Sequence, residues 1–324
     1  MRWLITGGCG FIGCNIVQYL LQQGQRDIRV IDNLQVCGSS SFEAICTAFP
    51  SKDEGAPQPT LLVGDITNPE DVAKAVEGVD IIVHLAADSG VIPSIENPKK
   101  NFMNNVLGTL EILEAVRKNP HIKMVVASTG AALGEQEPPV HEEMVPKPLS
   151  PYGAGKLACE GYCQGFAGSY GLHMTILRFS NVYGPHAMHK NSVIPKMLKT
   201  ALARDTMVIY GDGGQTRDFL YVEDLVQAVI LAAKSELQGE IIQLATNCET
   251  TIKELCGTAD EMLRDTEFQK LQVEYGDARP GEIRRSFYDI SKAKRLLGWE
   301  PAHSLQAGLN KTIQWFATQG GVPS

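Results

Sequence analysis

The segment Gly7-Gly-Cys-Gly10-Phe-Ile-Gly13 constrains the fold of this 324-residue chain more than any other. Trp3-Leu-Ile-Thr6 before it reads as a short buried strand. After it, Ile16, Val17, Leu20 and Leu21 share one face of a helix. Strand, glycine turn and helix in that order open a dinucleotide-binding unit. Gly7 permits the tight turn, Gly10 lets backbone approach a pyrophosphate, and Gly13 lets helix pack on strand. The helix N-terminus offers its free N–H groups to phosphate. A second strand, Ile28-Arg-Val-Ile-Asp32, ends in an acid about twenty residues further on. Asp32 would accept hydrogen bonds from ribose hydroxyls and repel a 2′-phosphate, which favours NAD over NADP as cofactor.

Short apolar runs then alternate with helical patterns. Candidate strands are Trp3–Thr6, Ile28–Asp32, Leu61–Gly64, Ile81–Ala86, Lys123–Ser128 and Met174–Phe179; the main helices between them are Asn101–Lys118 and Pro151–Tyr170. The alternation predicts an α/β fold with a Rossmann-type, doubly wound parallel sheet. Ser51–Thr60, polar and rich in Pro and Gly, reads as a surface loop. After about Ser180 loops dominate, yet Val222–Lys234 reads as a helix and Ile241–Thr246 as another buried strand. The expected division is therefore 1–180 plus about 217–248 for the dinucleotide domain. A smaller, discontinuous C-terminal lobe takes about 181–216 plus 249–324. The ligand is expected between them, at the carboxyl ends of the strands.

Hydrophobic residues make up 44% of the chain, enough for a full core. A formal net charge of −8 weighs against nucleic acid or an anionic membrane as partner. An anionic nucleotide substrate must then be held by local Arg or Lys. The eight cysteines form no Cys-x-x-Cys pair. Cys159 and Cys163 share a helix face, but no His pattern completes a metal site, so no metal is expected. Reduced, mostly buried thiols suit a cytoplasmic protein. No apolar run approaches a membrane span, and no charged leader precedes the first strand.

Chemistry is suggested by Ser150-Pro-Tyr152-Gly-Ala-Gly-Lys156. Tyr and Lys four residues apart share one helix face. An ammonium beside a phenol stabilises the phenolate and lowers its pKa, giving an oxygen able to exchange a proton near neutral pH. Further motifs follow: Gly64-Asp-Ile66, His84-Leu-Ala-Ala87, Asn104-Asn-Val-x-Gly-Thr109 and Ser128-Thr129. Later come Leu177-Arg-Phe-Ser-Asn-Val-Tyr-Gly-Pro185, Gly211-Asp-Gly-Gly-Gln-Thr-Arg-Asp218 and Arg279-Pro-Gly-Glu282.

Together these motifs, spread over nearly the whole chain, resemble the extended short-chain dehydrogenase/reductase family. The branch is that of NAD-dependent nucleotide-sugar epimerases and dehydratases, closest to UDP-sugar 4-epimerases. The resemblance implies that Thr129 hydrogen-bonds the reacting sugar oxygen, Tyr152 is the acid/base, and Lys156 binds the nicotinamide ribose and lowers the tyrosine pKa. It implies adenine contacts at Asp65 and Ile66, and a strand end beneath the cofactor at Leu85, Ala86 and Ala87. Further cofactor positions are Phe11, Ile12, Asn33, Asn105 and Phe179. Arg217 and Arg279 match arginines that grip a diphosphate, and Tyr210 an aromatic near the nucleotide base. Asn181, Ser89, Ser192, Val193, Val208, Glu282 and Ser286 complete the implied substrate set. Asn181 could instead cap a turn, and Arg217 could pair with Asp218. The family also forms homodimers through two paired helices, corresponding to Asn101–Lys118 and the tyrosine helix.

Departures narrow the implied chemistry. The 4,6-dehydratases carry Asp-Glu after the catalytic Thr, and uronate decarboxylases a Glu; here Gly130 and Ala131 stand there. Fucose-type epimerase-reductases need a Cys at that place and a His after Tyr-Gly-Pro. This chain has His186 without the Cys, so His186 reads as a loop histidine. Galactose epimerases commonly carry a Lys at Ser89 and a bulky Tyr at Ser286. A small residue at 286 would admit a 2-N-acetyl group, unless Phe287 or Tyr288 fills the gap. The expected activity is epimerisation of a UDP-sugar at carbon 4 through a 4-keto intermediate. Rivals are a dehydratase, decarboxylase or ketoreductase on the same scaffold, or a non-catalytic NAD-binding regulator.

Overall fold

Six strands form near the expected places: β1 (Trp3–Thr6), β2 (Ile28–Asp32), β3 (Thr60–Val63), β4 (Ile81–His84), β5 (Lys123–Thr129) and β6 (Met174–Phe179). The computed structural model describes residues 1–51, 53, 55–264, 271–278 and 283–319. With Glu240–Leu244 the six strands build one seven-stranded sheet, in the order Glu240–Leu244, β6, β5, β4, β1, β2, β3. Every neighbouring pair in it is parallel. The chain winds outward from β1 in both directions, which leaves a crevice at the carboxyl ends of β1 and β4.

A parallel sheet is covered on both faces, so its strands read as unbroken apolar runs. Alternate residues sort to the two sides. Trp3, Ile5, Val30, Val83 and Leu177 pack with helices Phe11–Gln22 and Val222–Lys234. Leu4, Ile31, Ile82, Val126 and Ile176 pack on the other side with Ile112, Leu113 and Val116.

Some boundaries differ, each for a local reason. β4 stops at His84 because the Leu85 and Ala86 amides turn to the Thr6 hydroxyl, at 3.1 and 3.0 Å. The last strand stops at Leu244 because the Thr246 amide and hydroxyl both turn to Asp218. The expected helix Asn101–Lys118 is continuous but not uniform. Pro98–Phe102 is α-helical, Met103–Leu107 is a π-helical turn, and α-helix resumes at Gly108–Lys118.

After Ser180, among the described residues, the chain builds three two-stranded pairs. Asn181–Tyr183 runs parallel to Phe219–Tyr221, and Thr206–Tyr210 parallel to Gln272–Gly276; Thr216–Arg217 is antiparallel to Thr250–Thr251. Helices Val193–Ala203, Ile252–Leu263 and Leu305–Thr318 pack around them. All eight cysteines are unpaired, and five are buried. Among the described residues no helix is long and apolar enough to cross a membrane, and no metal-ligand cluster forms.

Candidate active site

A cleft of about 330 Å³ opens at the carboxyl ends of β1, β2, β4 and β5. The glycine turn forms one wall. Gly7 sits at φ +68°, and a Cβ there would lie 2.9 Å from the Ala86 backbone. A Cβ at Gly13 would lie 2.5 Å from Gly8 Cα, so Gly13 is required by the turn itself rather than by the strand. Gly8, which spacing alone does not single out, packs against Val30, with its Cβ position 2.6 Å from that side chain. Gly10 differs: within the protein its Cβ would meet only the Gly7 carbonyl, at 3.2 Å. Its bare face is turned to the cleft, which is what a backbone seat for diphosphate needs. Phe11 and Ile12 complete this wall.

Asp32 closes the next corner. Its carboxylate accepts from the Cys9 amide at 3.0 Å and the Leu34 amide at 2.9 Å. The acid is thereby pinned to the glycine turn and oriented toward the cleft that it lines. Asn33 donates to Asp65 at 2.9 Å, and Thr67 donates twice to the same carboxylate. Burial opposes ionisation of Asp65, but the Asn33 and Thr67 hydrogen bonds outweigh it and hold its pKa below the usual range. Ile66 lies beside it on the cleft wall.

The end of β4 is set by a chain of buried hydrogen bonds. Thr6 Oγ1 lies 2.8 Å from His84 Nδ1, and His84 Nε2 lies 3.0 Å from Thr109 Oγ1. Thr109 donates to the Asn105 carbonyl. Burial, aided by the nearby Lys156 charge, pushes His84 down to about 3, so the ring is a neutral spacer. Leu85, Ala86, Ala87 and Ser89 therefore reach the cleft in fixed positions. Asn105 does not reach it. Its carboxamide is buried and spent on Asp88, accepting from the amide at 2.7 Å and donating to the carbonyl at 3.1 Å. The preceding residue, Asn104, lines the cleft instead.

The chemical end holds Thr129, Tyr152 and Lys156. Ser150 caps the tyrosine helix by accepting from the Gly153 amide, and Gly171 ends it in the left-handed region at φ +65°. Tyr152 and Lys156 line the cleft with Phe179, while Thr129 stands just behind them. The Thr129 hydroxyl lies close enough to the Tyr152 phenol to favour its ionisation. The Lys156 ammonium donates to the Ala127 carbonyl at 2.9 Å. Burial pushes the Tyr152 phenol up to about 12, and the Thr129 hydroxyl is the influence that lowers it. Burial lowers Lys156 as well. Without ligands the tyrosine is a protonated phenol at neutral pH.

The expected substrate set is divided. Ser89 lies in the cleft. Val208 and Tyr210 sit on one of the later strands, with Lys196 6.0 Å from the Tyr210 ring centroid. Ser192 and Val193 begin the helix that carries Lys196. Asn181 donates through its side chain to the Asp218 carbonyl at 3.3 Å. Arg217 donates to the Thr216 and Ile283 carbonyls and lies within electrostatic reach of Tyr288. Arg279 and Glu282 lie outside the described residues. Ser286 does not open a space in the cleft wall: it is 8% exposed, and its hydroxyl donates to the Tyr288 hydroxyl at 3.1 Å. The same Tyr288 hydroxyl lies 2.2 Å from where a Cβ on Gly130 would stand. Tyr288 thus fills both the expected gap and the space beside β5. His186 is a loop histidine, 3.2 Å from Gln18 and pushed down to about 4 by burial.

A bare glycine seat, an acid at the end of β2 and Tyr152 in one cleft fit NAD. Comparison with known proteins agrees. The GDP-mannose 4,6 dehydratase family model matches residues 4–312. A putative UDP-glucose 4-epimerase of Methanocaldococcus jannaschii is 35% identical over 317 residues, spanning 96% of this chain and 97% of that one. The UDP-N-acetylglucosamine 4-epimerase of Methanobrevibacter ruminantium M1, solved with UDP-N-acetylmuramic acid, has a TM-score of 0.87 at 32% identity, covering 98% of both chains. The Thermus thermophilus UDP-glucose 4-epimerase complex with NAD has a TM-score of 0.85 at 33% identity, covering 99% of this chain and 100% of that one. The chain therefore belongs to the GDP-mannose 4,6 dehydratase family within the extended short-chain dehydrogenases/reductases, the NAD-dependent epimerases, dehydratases and decarboxylases of nucleotide sugars.

Proposed function

We propose that the protein is a UDP-sugar 4-epimerase. Bound NAD supplies hydride acceptance and return. With the cofactor's positive nicotinamide and the Lys156 ammonium favouring its ionised form, the Tyr152 phenolate takes the proton of the carbon-4 hydroxyl and, as the phenol, gives it back; Thr129 orients that oxygen through its own hydroxyl. Lys156 carries positive charge beside the cofactor ribose. Arg217, with Arg279, holds the diphosphate so that the keto sugar turns without leaving. One observation favours this over loss of water or carboxylate. Gly130 and Ala131 provide no acid after Thr129, and Tyr288 occupies the space in which a side chain at 130 would begin. What is left handles one proton at one carbinol, which suffices for epimerisation. The test is incubation with UDP-glucose, UDP-N-acetylglucosamine and UDP-glucuronate without added NAD, followed by mass spectrometry and proton NMR. An isomer of unchanged mass is expected. Loss of water or carbon dioxide overturns the reading.

We further propose the division into 1–180 plus about 217–248 for cofactor and about 181–216 plus 249–324 for substrate, in a cytoplasmic homodimer. Within the Asn101–Lys118 segment, Val106, Leu113 and Val116 are already buried within the protomer. Phe102, Met103, Tyr162 and Tyr170 support the contact instead, being large and exposed. Gly161, Gly165 and Gly168 leave the tyrosine helix open to a close neighbour. A strictly monomeric mass by light scattering at micromolar concentration counts against the dimer.

A further inference from the structure

The loop after Tyr183 brings a cation to the cofactor cleft. It is fastened to the first helix at two points. The Pro185 carbonyl accepts from Asn15 at 3.0 Å, and His186, at φ +65°, contacts Gln18 and packs its ring 5.0 Å from that of Trp315. From there His189 and Lys190 reach the cleft that the glycine turn also lines. Lys190 Nζ donates to Ser89 Oγ at 3.3 Å, and the Lys190 carbonyl accepts from Lys199 at 2.8 Å. Among the described residues no carboxylate pairs with Lys190. Burial lowers its pKa, and the nearby Cys37 thiol, on the β2 side of the cleft, is the influence that raises it. Lys190 is half-buried at the cleft, so its ammonium stays within reach of a ligand bound there, and the glycine turn contributes no cationic side chain of its own. Lys156 is committed to the Ala127 carbonyl, and Lys100 on the cleft rim is exposed.

We propose that Lys190, held by Ser89, is the cationic ligand of the cofactor's diphosphate, supplied from the segment after β6 rather than from the dinucleotide-binding half of the chain. Where galactose epimerases commonly place a Lys at position 89, this chain keeps a Ser and brings the charge from the opposite wall. The ammonium then neutralises the phosphates that the helix N-terminus and Gly10 seat from below. The proposal rests on the NAD site and is independent of which sugar is turned over.

The test is binding by the full-length protein freed of nucleotide. NADH is titrated by fluorescence and UDP by calorimetry, for the wild type, Lys190→Gln, Lys190→Ala and the control Lys100→Ala. Loss of a charged hydrogen bond predicts NADH affinity lower by about 10-fold or more in both Lys190 variants. UDP affinity should stay within about 2-fold, and Lys100→Ala should leave both constants near wild type. The salt dependence of NADH binding should also flatten in Lys190→Gln. Unchanged NADH affinity in Lys190→Gln overturns the assignment. So does a UDP loss equal to or larger than the NADH loss, which would make Lys190 a substrate ligand or a support for the loop.

Discussion

Arg178 and Glu160 meet as a forked ion pair, with Nε 2.8 Å from Oε1 and Nη2 2.7 Å from Oε2. The side chains are 2% and 1% exposed. Ser128 donates to the same carboxylate at 2.5 Å. Glu160 lies one helical turn beyond Lys156, and Ser128 immediately precedes Thr129, so the pair ties the tyrosine helix to β5 and β6. Removing one charge leaves the other buried and alone, at about 3–5 kcal/mol. Arg178→Ala and Glu160→Ala should each lose that much stability in urea unfolding. The double variant should lose clearly less than their sum. Additive losses would show that the two charges are not coupled.

Gly130 and Tyr288 should be coupled in the same sense. A methyl at 130 meets the Tyr288 hydroxyl, so Gly130→Ala should destabilise by about 1–3 kcal/mol. Tyr288→Phe, which deletes the oxygen, should recover part of that loss in the double variant. Thermal melts of the four proteins decide it; equal costs in both backgrounds would mean that the contact is relieved elsewhere.

Tyr152→Phe should lower turnover by ~10²-fold or more while NADH still binds. A sharper test uses the ligand-free protein. With the phenol near about 12, no tyrosinate absorbance assignable to Tyr152 should develop below about pH 10. Thr129→Val removes the hydroxyl that favours ionisation, so titration should move further upward. A signal near neutral pH that vanishes in Tyr152→Phe would assign activation to Lys156 alone.

Asp218 supplies a pH signature. Burial raises its carboxyl to about 6 against hydrogen bonds from Thr246, and among the described residues one of its oxygens has no side-chain partner. The folded pKa lies above the unfolded value of 3.8, so this group stabilises fully below 3.8 and loses that contribution as pH rises through 6. Its size is on the order of 3 kcal/mol. Asp218→Asn removes the titration. The stability difference between wild type and variant should therefore change between pH 4 and pH 7, in favour of the wild type at the acid end. Parallel curves would mean that Asp218 titrates normally.

Sequence and structure agree where the signal is local. The glycine spacing, the acid closing β2 and the Tyr–Lys face each follow from a few neighbouring residues, and each is found at the cleft. The disagreements come from contacts between distant segments. Asn104 lines the cleft where Asn105 was expected, because the Asn105 carboxamide is held by the Asp88 backbone, a contact between segments that the motif does not show. The absence of a carboxylate at Gly130 is legible in the sequence, but its packing against Tyr288 is not. Lys190 carries no motif, since its place depends on a loop anchored by Asn15 and Gln18. The phenol pKa escapes the sequence because helical spacing reports proximity and not desolvation, which here is the larger effect.

The position of Glu240–Leu244 in the sheet has a consequence for biosynthesis. It is the outer neighbour of β6, all six residues of which are buried. As the chain leaves the ribosome, β6 emerges with one side of its ladder open, and it stays open until the whole of 180–239 has been made. An open apolar edge recruits any strand that comes near, and its proper partner must close a long loop before docking. The seven-stranded sheet is thus completed only after residues 180–239 have been synthesised. A chain released within that interval would carry an adhesive edge with no strand to cover it.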